Sequence, residues 1–407
     1  MKNLVPNKRT SILFVGYTLD ESECIKNTAA HLAANRAQLG LIGGLNELEN
    51  VALECVTVLP SLYYPLTKKL FYGVRKTQLS NGVKLIILPF VNLVVLKHLT
   101  SSISLFIKIL LWSIRYYNWN KVIISYNLDV PIPQTIMIFQ NLGVRFLPFI
   151  FDLPVMSKQV SGGFRGWLIN QNHKQQSEIM RRLKEVIILN ENVAIDFKLD
   201  RYIVIEGGIT TRDIFVDCNS DRHVRDISTV FKVFYSGSIT KHQGVDNLIE
   251  AFQYLDKDKY SLTICGRGDL SIWVEERCIK AKNMKYLGIL PTEQLCKLQE
   301  ESDLLIIPQP CSSPNVRYQF PSKIFEYMIS GTPVLSVNLP GLLIEYQQFI
   351  YMTDGFSPVE LSQSIQKVCA IPRSEREIKG KSARKFILEN KTWTRQCKKI
   401  ITYINKK

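Results

Sequence analysis

Short apolar runs recur along this chain, and between them lie longer stretches whose apolar residues return every three to four positions. That alternation constrains the fold more than any other feature, because a βα rhythm buries its strands between helices in parallel sheets. In the first half the strand-like runs are 12–16, 53–59, 84–89, 121–126, 146–151, 185–189 and 202–205, with helical stretches at 23–39, 99–117 and 131–142. Gly207-Gly208 and the polar stretch 210–226 read as a linker. A second series follows, with strands at 231–236, 262–265, 285–287, 304–307 and 333–336 and helices at 245–254 and 271–281. A chain of 407 residues holds two or three domains. The expected class is α/β. Residues 1–208, with a last helix at about 391–407, and residues 230–390 are expected to form two Rossmann-like domains facing each other across a cleft, joined by a linker at 209–229. The tail from 374 reads as helices interrupted near 391–393.

Hydrophobic residues at 46% and charged residues at 21% exclude a disordered or low-complexity chain. Lys and Arg outnumber Asp and Glu by 51 to 36, a net charge of +15. The surplus is uneven: +9 over residues 1–208, −3 over 209–372 and +9 over 373–407. A basic surface attracts nucleic acid, an anionic membrane or phosphate-bearing small molecules, and composition leaves all three open. Nine scattered cysteines without a C-x-x-C pair, and only five His, point to reduced thiols in a cytosolic protein with no zinc site. The apolar run before Gly16 is too short for a signal-peptide core of roughly 7–15 residues. The apolar stretches 85–96 and 103–112 fall short of the ~20 residues that span a bilayer, so membrane contact is expected to be peripheral.

The strongest local signal is YQFPSKIFEYMISGTPVL, residues 318–335. Pro321 and Ser322 read as a helix start, with Ser322 as cap, and Gly331 as its end. A helix N-terminus presents backbone N–H groups and a positive dipole end, which suits a diphosphate. Lys323 in the first turn opposes that dipole and asks for an anion nearby. Glu326, at i+3, shares its face and suits two sugar hydroxyls. An ordinary capped helix with surface Lys and Glu explains the spacing equally well. Two glycine loops follow strands: SGSITKHQG (236–244), where Gly237 lets backbone approach a ligand and Ser238 and Lys241 reach phosphate, and CGRGD (265–269), with Gly266 and Gly268. Glycine loops also serve tight strand-to-helix turns. Several on one sheet edge favour a binding site.

The strings YSGSITKHQGVDNLIEAF, LTICGRGDL, YLGILPTEQLCKLQEESDLLIIPQP and RYQFPSKIFEYMISGTPVL resemble, in order and spacing, the GT-B fold glycosyltransferases of family 4. FDLPV (151–155) and YIVIEGGI (202–209) resemble the branch of that family that builds bacterial capsule, exopolysaccharide and lipopolysaccharide. The resemblance implies a retaining, metal-independent transfer from a nucleotide-sugar donor, with no cofactor. The acceptor would be a lipid-linked oligosaccharide, carried on undecaprenyl diphosphate, at the cytoplasmic face of the membrane. Glu326 matches the second glutamate of the family's E-x7-E element, on the nucleotide ribose. Ser322, Lys323 and Ile324 match the helix start that holds the diphosphate. Gly237 matches the glycine beside the donor phosphate, and Gly266 and Gly268 line the nucleotide pocket. The last helix is expected to return to the first domain, which would put both basic regions on the acceptor side.

The departures are specific. Tyr318 stands where the family has the first glutamate, and Ser238 and Gln243 stand where it has a phosphate-binding Arg and Lys. Phe151 replaces a frequent His. Lys323, with Arg317 or Lys241, is the expected source of positive charge. Asp152 is the acceptor-side candidate, against the plain reading of a strand-end Asp before a turn. Stretch 99–117 has apolar residues on two faces and interfacial aromatics. It reads either as a helix buried on the first sheet or as one that docks on a membrane surface. Two other classes compete: a non-catalytic GT-B scaffold, prompted by Tyr318, Ser238 and Gln243, and a nucleic-acid binder, prompted by charge but without a binding module.

Overall fold

The computed structural model describes residues 9–129, 132–153, 164–210, 230–312 and 314–406. Residues 211–229 of the expected linker, Pro131, and Pro154 and Val155 of FDLPV lie outside the described residues. The chain divides into two compact units, residues 1–208 with 393–407, and residues 209–392.

The first unit is built on the parallel strands β1 (Thr10–Gly16) and β2 (Val51–Thr57). β3 (Phe71–Tyr72) and β6 (Phe90–Val91) form a separate antiparallel pair; beyond β2 lie β5 (Lys84–Ile87) and β4 (Arg75–Gln78), and on the other side of β1 lie β7 (Asn120–Ser125) and β8 (Arg145–Phe146). The sheet order is β4-β5-β2-β1-β7-β8, with only the edge strand β4 antiparallel. Strands β9 (Phe149–Ile150), β10 (Val186–Ile188) and β11 (Tyr202–Val204) form a second parallel set. The run at 146–151 is thus two strands in two sheets, broken at Leu147-Pro148, since proline has no N–H to donate to a ladder. A one-residue bridge from Tyr126 to Phe149 connects the sets.

The stretch 23–39, expected as one helix, is two: α1 (Glu21–Lys26) and α2 (Leu32–Asn46). Asn27 is extended, and its side chain accepts from Ala29 N while donating to Pro60 O, an arrangement a continuous helix forbids. Helix α2 carries Gly40 and Gly44 because Trp393 and Cys397 of the C-terminal helix Trp393–Asn405 fill those positions; a Cβ at either would overlap them. The C-terminal helix therefore packs within the first unit. The preceding helix Arg373–Asn390 belongs to the second unit, which corrects the placement of the whole basic tail on one side. Of its twelve basic residues only five, from Arg395 onward, lie in the first unit.

The second unit is a six-stranded, all-parallel sheet: β12 (Phe231–Ser238), β13 (Tyr260–Arg267), β14 (Met284–Tyr286), β15 (Leu304–Ile307), β16 (Val334–Val337) and β17 (Tyr351–Thr353). Its order, β14-β13-β12-β15-β16-β17, is doubly wound, and the strand order reverses between β12 and β15. Ligands in such sheets bind beyond the carboxyl ends of the strands at that reversal. Leu304–Ile307 and Val334–Val337 are buried throughout, as runs covered on both faces must be.

Candidate functional site

Strand β12 ends at the reversal, and its last residues are Gly237 and Ser238. In register beside them are Gly266 and Arg267 of β13. The glycines have different reasons to be there. A Cβ on Gly266 would overlap Gly237 O, and one on Gly268 would overlap Ile239 O, so chain packing alone requires both. Gly237 has φ +145°, and a Cβ there would overlap Lys323 Cε. Its missing side chain is the space that Lys323 occupies.

Lys323 opens the helix Lys323–Ser330. Ile324, Tyr327 and Met328 are buried on one side of that helix, and the Tyr327 hydroxyl accepts from Ser236 N (2.8 Å) and donates to Ser236 O (3.2 Å). The helix is thereby pinned to β12 one residue before Gly237. Lys323 Nζ donates to Tyr235 Oη at 2.7 Å and to Gln243 Oε1 at 2.8 Å, and lies 4.3 Å from the centre of the Tyr235 ring. Tyr235 O–H in turn donates to Ser238 O at 2.8 Å. The ammonium is thus set among neutral groups. Burial pulls its pKa down from 10.5 to about 7, with Glu326 pulling weakly the other way. Glu326, one turn on, is on the exposed side of the helix.

Ser322 does not cap this helix. Its backbone is already helical (φ −55°, ψ −26°) and its side chain makes no cap hydrogen bond; Ile324 N and Phe325 N bond instead to Pro321 O and Ser322 O. Pro321 and Ser322 begin the turn themselves, so an extended cap residue has no place. Arg317 is exposed at the end of a short 3-10 turn, Tyr318 is half-buried, and Lys241 is exposed. The structure brings Gly237, Ser238 and Lys323 together. Sequence reasoning missed Tyr235 and treated Gln243 as a loss. In the folded chain Gln243 is an uncharged acceptor for the lysine, and the signal was a Tyr two residues before the loop glycine.

Asp152 belongs to the first unit. There Asn127, just past β7 with φ +54°, accepts from Phe151 N and Asp152 N and donates to Asp152 Oδ2 at 3.1 Å. Asn tolerates this left-handed backbone better than most residues. Asp129, which the sequence reading passed over, is half-buried and accepts from Gln176 Nε2 at 3.1 Å. Burial and the neighbouring Asp152 raise its pKa from 3.8 to about 6; burial, then the charge of Asp129, raises that of Tyr17, and burial, then Asp152 and Asp129, that of Tyr126. These groups gather at the carboxyl ends of β1, β7 and β9. Buried Asn35 and Gln38 of α2 hold the backbone of Tyr17–Leu19 at the same edge.

Solved structures that resemble the chain over nearly its whole length include the following three. HepE from Anabaena in complex with UDP is 15% identical, over 96% of this chain and 98% of that one, with a TM-score of 0.65. A glycosyltransferase from Rickettsia africae is 15% identical over 98% of both, at 0.65. Sucrose-phosphate synthase from Thermosynechococcus elongatus is 14% identical over 97% and 98%, at 0.61. The fold is GT-B. Within it, residues 220–386 match the family model for glycosyl transferases group 1, and those residues contain the whole Gly237–Lys323–Glu326 arrangement. No curated protein matches by sequence. A GT-B fold explains why the site residues sit where the sheet order reverses, since each of its Rossmann-like units offers that edge.

Proposed function

We propose that this GT-B protein moves a sugar from a nucleotide-sugar donor, with retention of configuration, to a lipid-linked saccharide acceptor in bacterial surface-polysaccharide synthesis. It would act at the cytoplasmic face of the membrane. The observation that carries the reading is Lys323, a half-buried lysine whose amine fills the space that Gly237 leaves open at the reversal point of a group 1 domain. HepE, of the same fold, was solved with UDP and with UDP and glucose. As the glycosidic bond breaks, negative charge gathers on the departing diphosphate while the sugar becomes cationic. Lys323, charged once the diphosphate lies against it, and a helix N-terminus stabilise that charge as it develops, with no catalytic metal in the scheme. Glu326 takes the ribose hydroxyls, and Asp152 serves the acceptor side.

Incubation with UDP-, GDP- and ADP-sugars, with and without lipid-linked acceptor, tests the reading through nucleotide release. Release is expected with one donor, and Glu326→Ala should weaken its use at least about tenfold, the loss of one charge-assisted hydrogen bond. No binding and no release with any donor refutes the proposal. Binding without release supports instead the non-catalytic scaffold that Tyr318 and Ser238 suggest.

A further inference from the structure

Helix α3 (Val94–Arg115) is apolar on two opposite faces. Toward the sheet it buries Leu105, Ile109 and Trp112, whose indole donates to Ser11 Oγ at 3.0 Å. On the other side Leu99, Ile103, Ile107, Leu110, Leu111 and Ile114 are 41–62% exposed. At 100° per residue these fall in one stripe. With Leu96 and Phe106 they expose roughly 700 Å² of largely apolar surface, above the few hundred Å² that soluble monomers ordinarily show. Packing on the sheet accounts for the buried face only. The helix's own charges sit at one shoulder of the stripe: Lys108 and Arg115 pair with Glu54, and Lys97 donates to Ser61.

A separate observation concerns charge. Residues 55–128 contain nine Lys and Arg and not one Asp or Glu, a surplus equal to the whole +9 of residues 1–208. Within that stretch, residues 61–76 lie against the first turn of α3. Buried Asn92 donates to Leu62 O and Lys69 O, and Tyr63 Oη meets His98. The segment exposes Leu66, Leu70, Phe71 and Val74 beside the exposed Lys68, Lys69 and Lys76.

The combination selects one occupant. Two copies meeting through this face would oppose the exposed Lys68, Lys69 and Lys76 of one to those of the other, because a two-fold interface pairs a patch with itself. A nucleic acid would take the lysines and leave the aliphatic stripe without a partner. An anionic bilayer takes both, with aliphatic side chains at the acyl boundary and basic ones among the headgroups. No described helix is long and apolar enough to cross a membrane. We propose that the exposed face of α3, with residues 61–76, docks on an anionic lipid surface, the helix lying in the plane of the interface. This stands on the first unit's surface and is independent of the donor chemistry proposed above.

The test is sedimentation of the full chain with vesicles of phosphatidylcholine alone or with phosphatidylglycerol, at low and high salt. Binding is expected only with phosphatidylglycerol, and weaker in high salt. Ile107→Glu with Leu111→Glu, both at exposed positions, should reduce it at least about tenfold. Lys68→Glu with Lys69→Glu should reduce it about tenfold as well. Melting temperature and nucleotide-sugar binding should stay at wild-type values in both variants. Three results overturn the proposal: no vesicle binding by the wild type, wild-type binding by the Ile107/Leu111 variant, or a wild-type dimer that the variant converts to monomer with no lipid affinity in either. Loss of donor binding in the wild type would refute the transfer reading and leave this one standing.

Discussion

A nucleotide sugar that binds at Lys323 should carry a proton in with it. In the free protein the amine is held by Tyr235 and Gln243, and burial lowers its pKa to about 7. The charged group nearest it in its own helix is Glu326, and Tyr235 and Tyr327, both with raised pKa, remain neutral over the working range. A diphosphate placed against the amine supplies the missing counter-charge and returns its pKa toward the ordinary 10.5. Above pH 7 the free site is mostly neutral and must be protonated before it holds the anion. The apparent affinity then falls with rising pH: about tenfold between pH 6 and pH 8, and about 30-fold by pH 8.5, equivalent to about 2 kcal/mol. Calorimetric titration of the best-bound nucleotide sugar, repeated in two buffers of different ionisation enthalpy, reads affinity and proton uptake together. Close to one proton should be taken up per ligand at pH 8.5, and close to none at pH 6. In Lys323→Gln both dependences should vanish along with most of the affinity. An affinity that is flat from pH 6 to 8.5, with no proton uptake, refutes the assignment of Lys323 as the diphosphate's cation.

Tyr235→Phe removes an acceptor from Lys323 and a donor to Ser238 O; donor affinity should fall by about 1.5–3 kcal/mol and the midpoint of its pH profile should move lower, whereas an unmoved midpoint would show that the hydroxyl does not hold the amine. Gly237→Ala puts a methyl group where Lys323 lies, at a backbone angle side chains rarely adopt, so donor binding should drop at least about tenfold with a lowered melting temperature; wild-type binding would contradict the packing argument. Asp129 has a folded pKa of about 6 against 3.8 unfolded, so its ionisation opposes folding as pH rises through that interval and the cost is constant above it. Asp129→Asn should therefore add about 3 kcal/mol of stability at pH 8 and nothing below about pH 4, measured by urea unfolding; equal gains at both pH values would exclude ionisation as the cause.

The residues of the sheets were legible because their apolar runs are buried on both faces, as at Leu304–Ile307, where the expected and observed strands coincide. Short strands such as β3, β4 and β6 escaped notice, since two to four residues leave no periodic signal. Helix α3 was legible as a helix, and its two apolar faces were already visible in sequence. Only the fold shows which face is covered. In the site, Gly237 and Lys323 could be picked out singly, while their fitting of one side chain into the other's missing one depends on β12 meeting the helix at Ser236–Tyr327. Gln243 looked like a lost lysine because sequence comparison scores charge, and the folded chain reveals an acceptor for a lysine arriving from 80 residues away.

The central claim is tested most directly by following labelled sugar from a nucleotide donor onto a lipid-linked acceptor, with wild-type protein and Lys323→Ala side by side. The account predicts a labelled lipid product that keeps the donor's anomeric configuration, and at least about a hundredfold less of it from the variant, as expected when the positive charge facing the leaving group is removed. Equal product from the two proteins, or labelled product from neither with any donor, contradicts it.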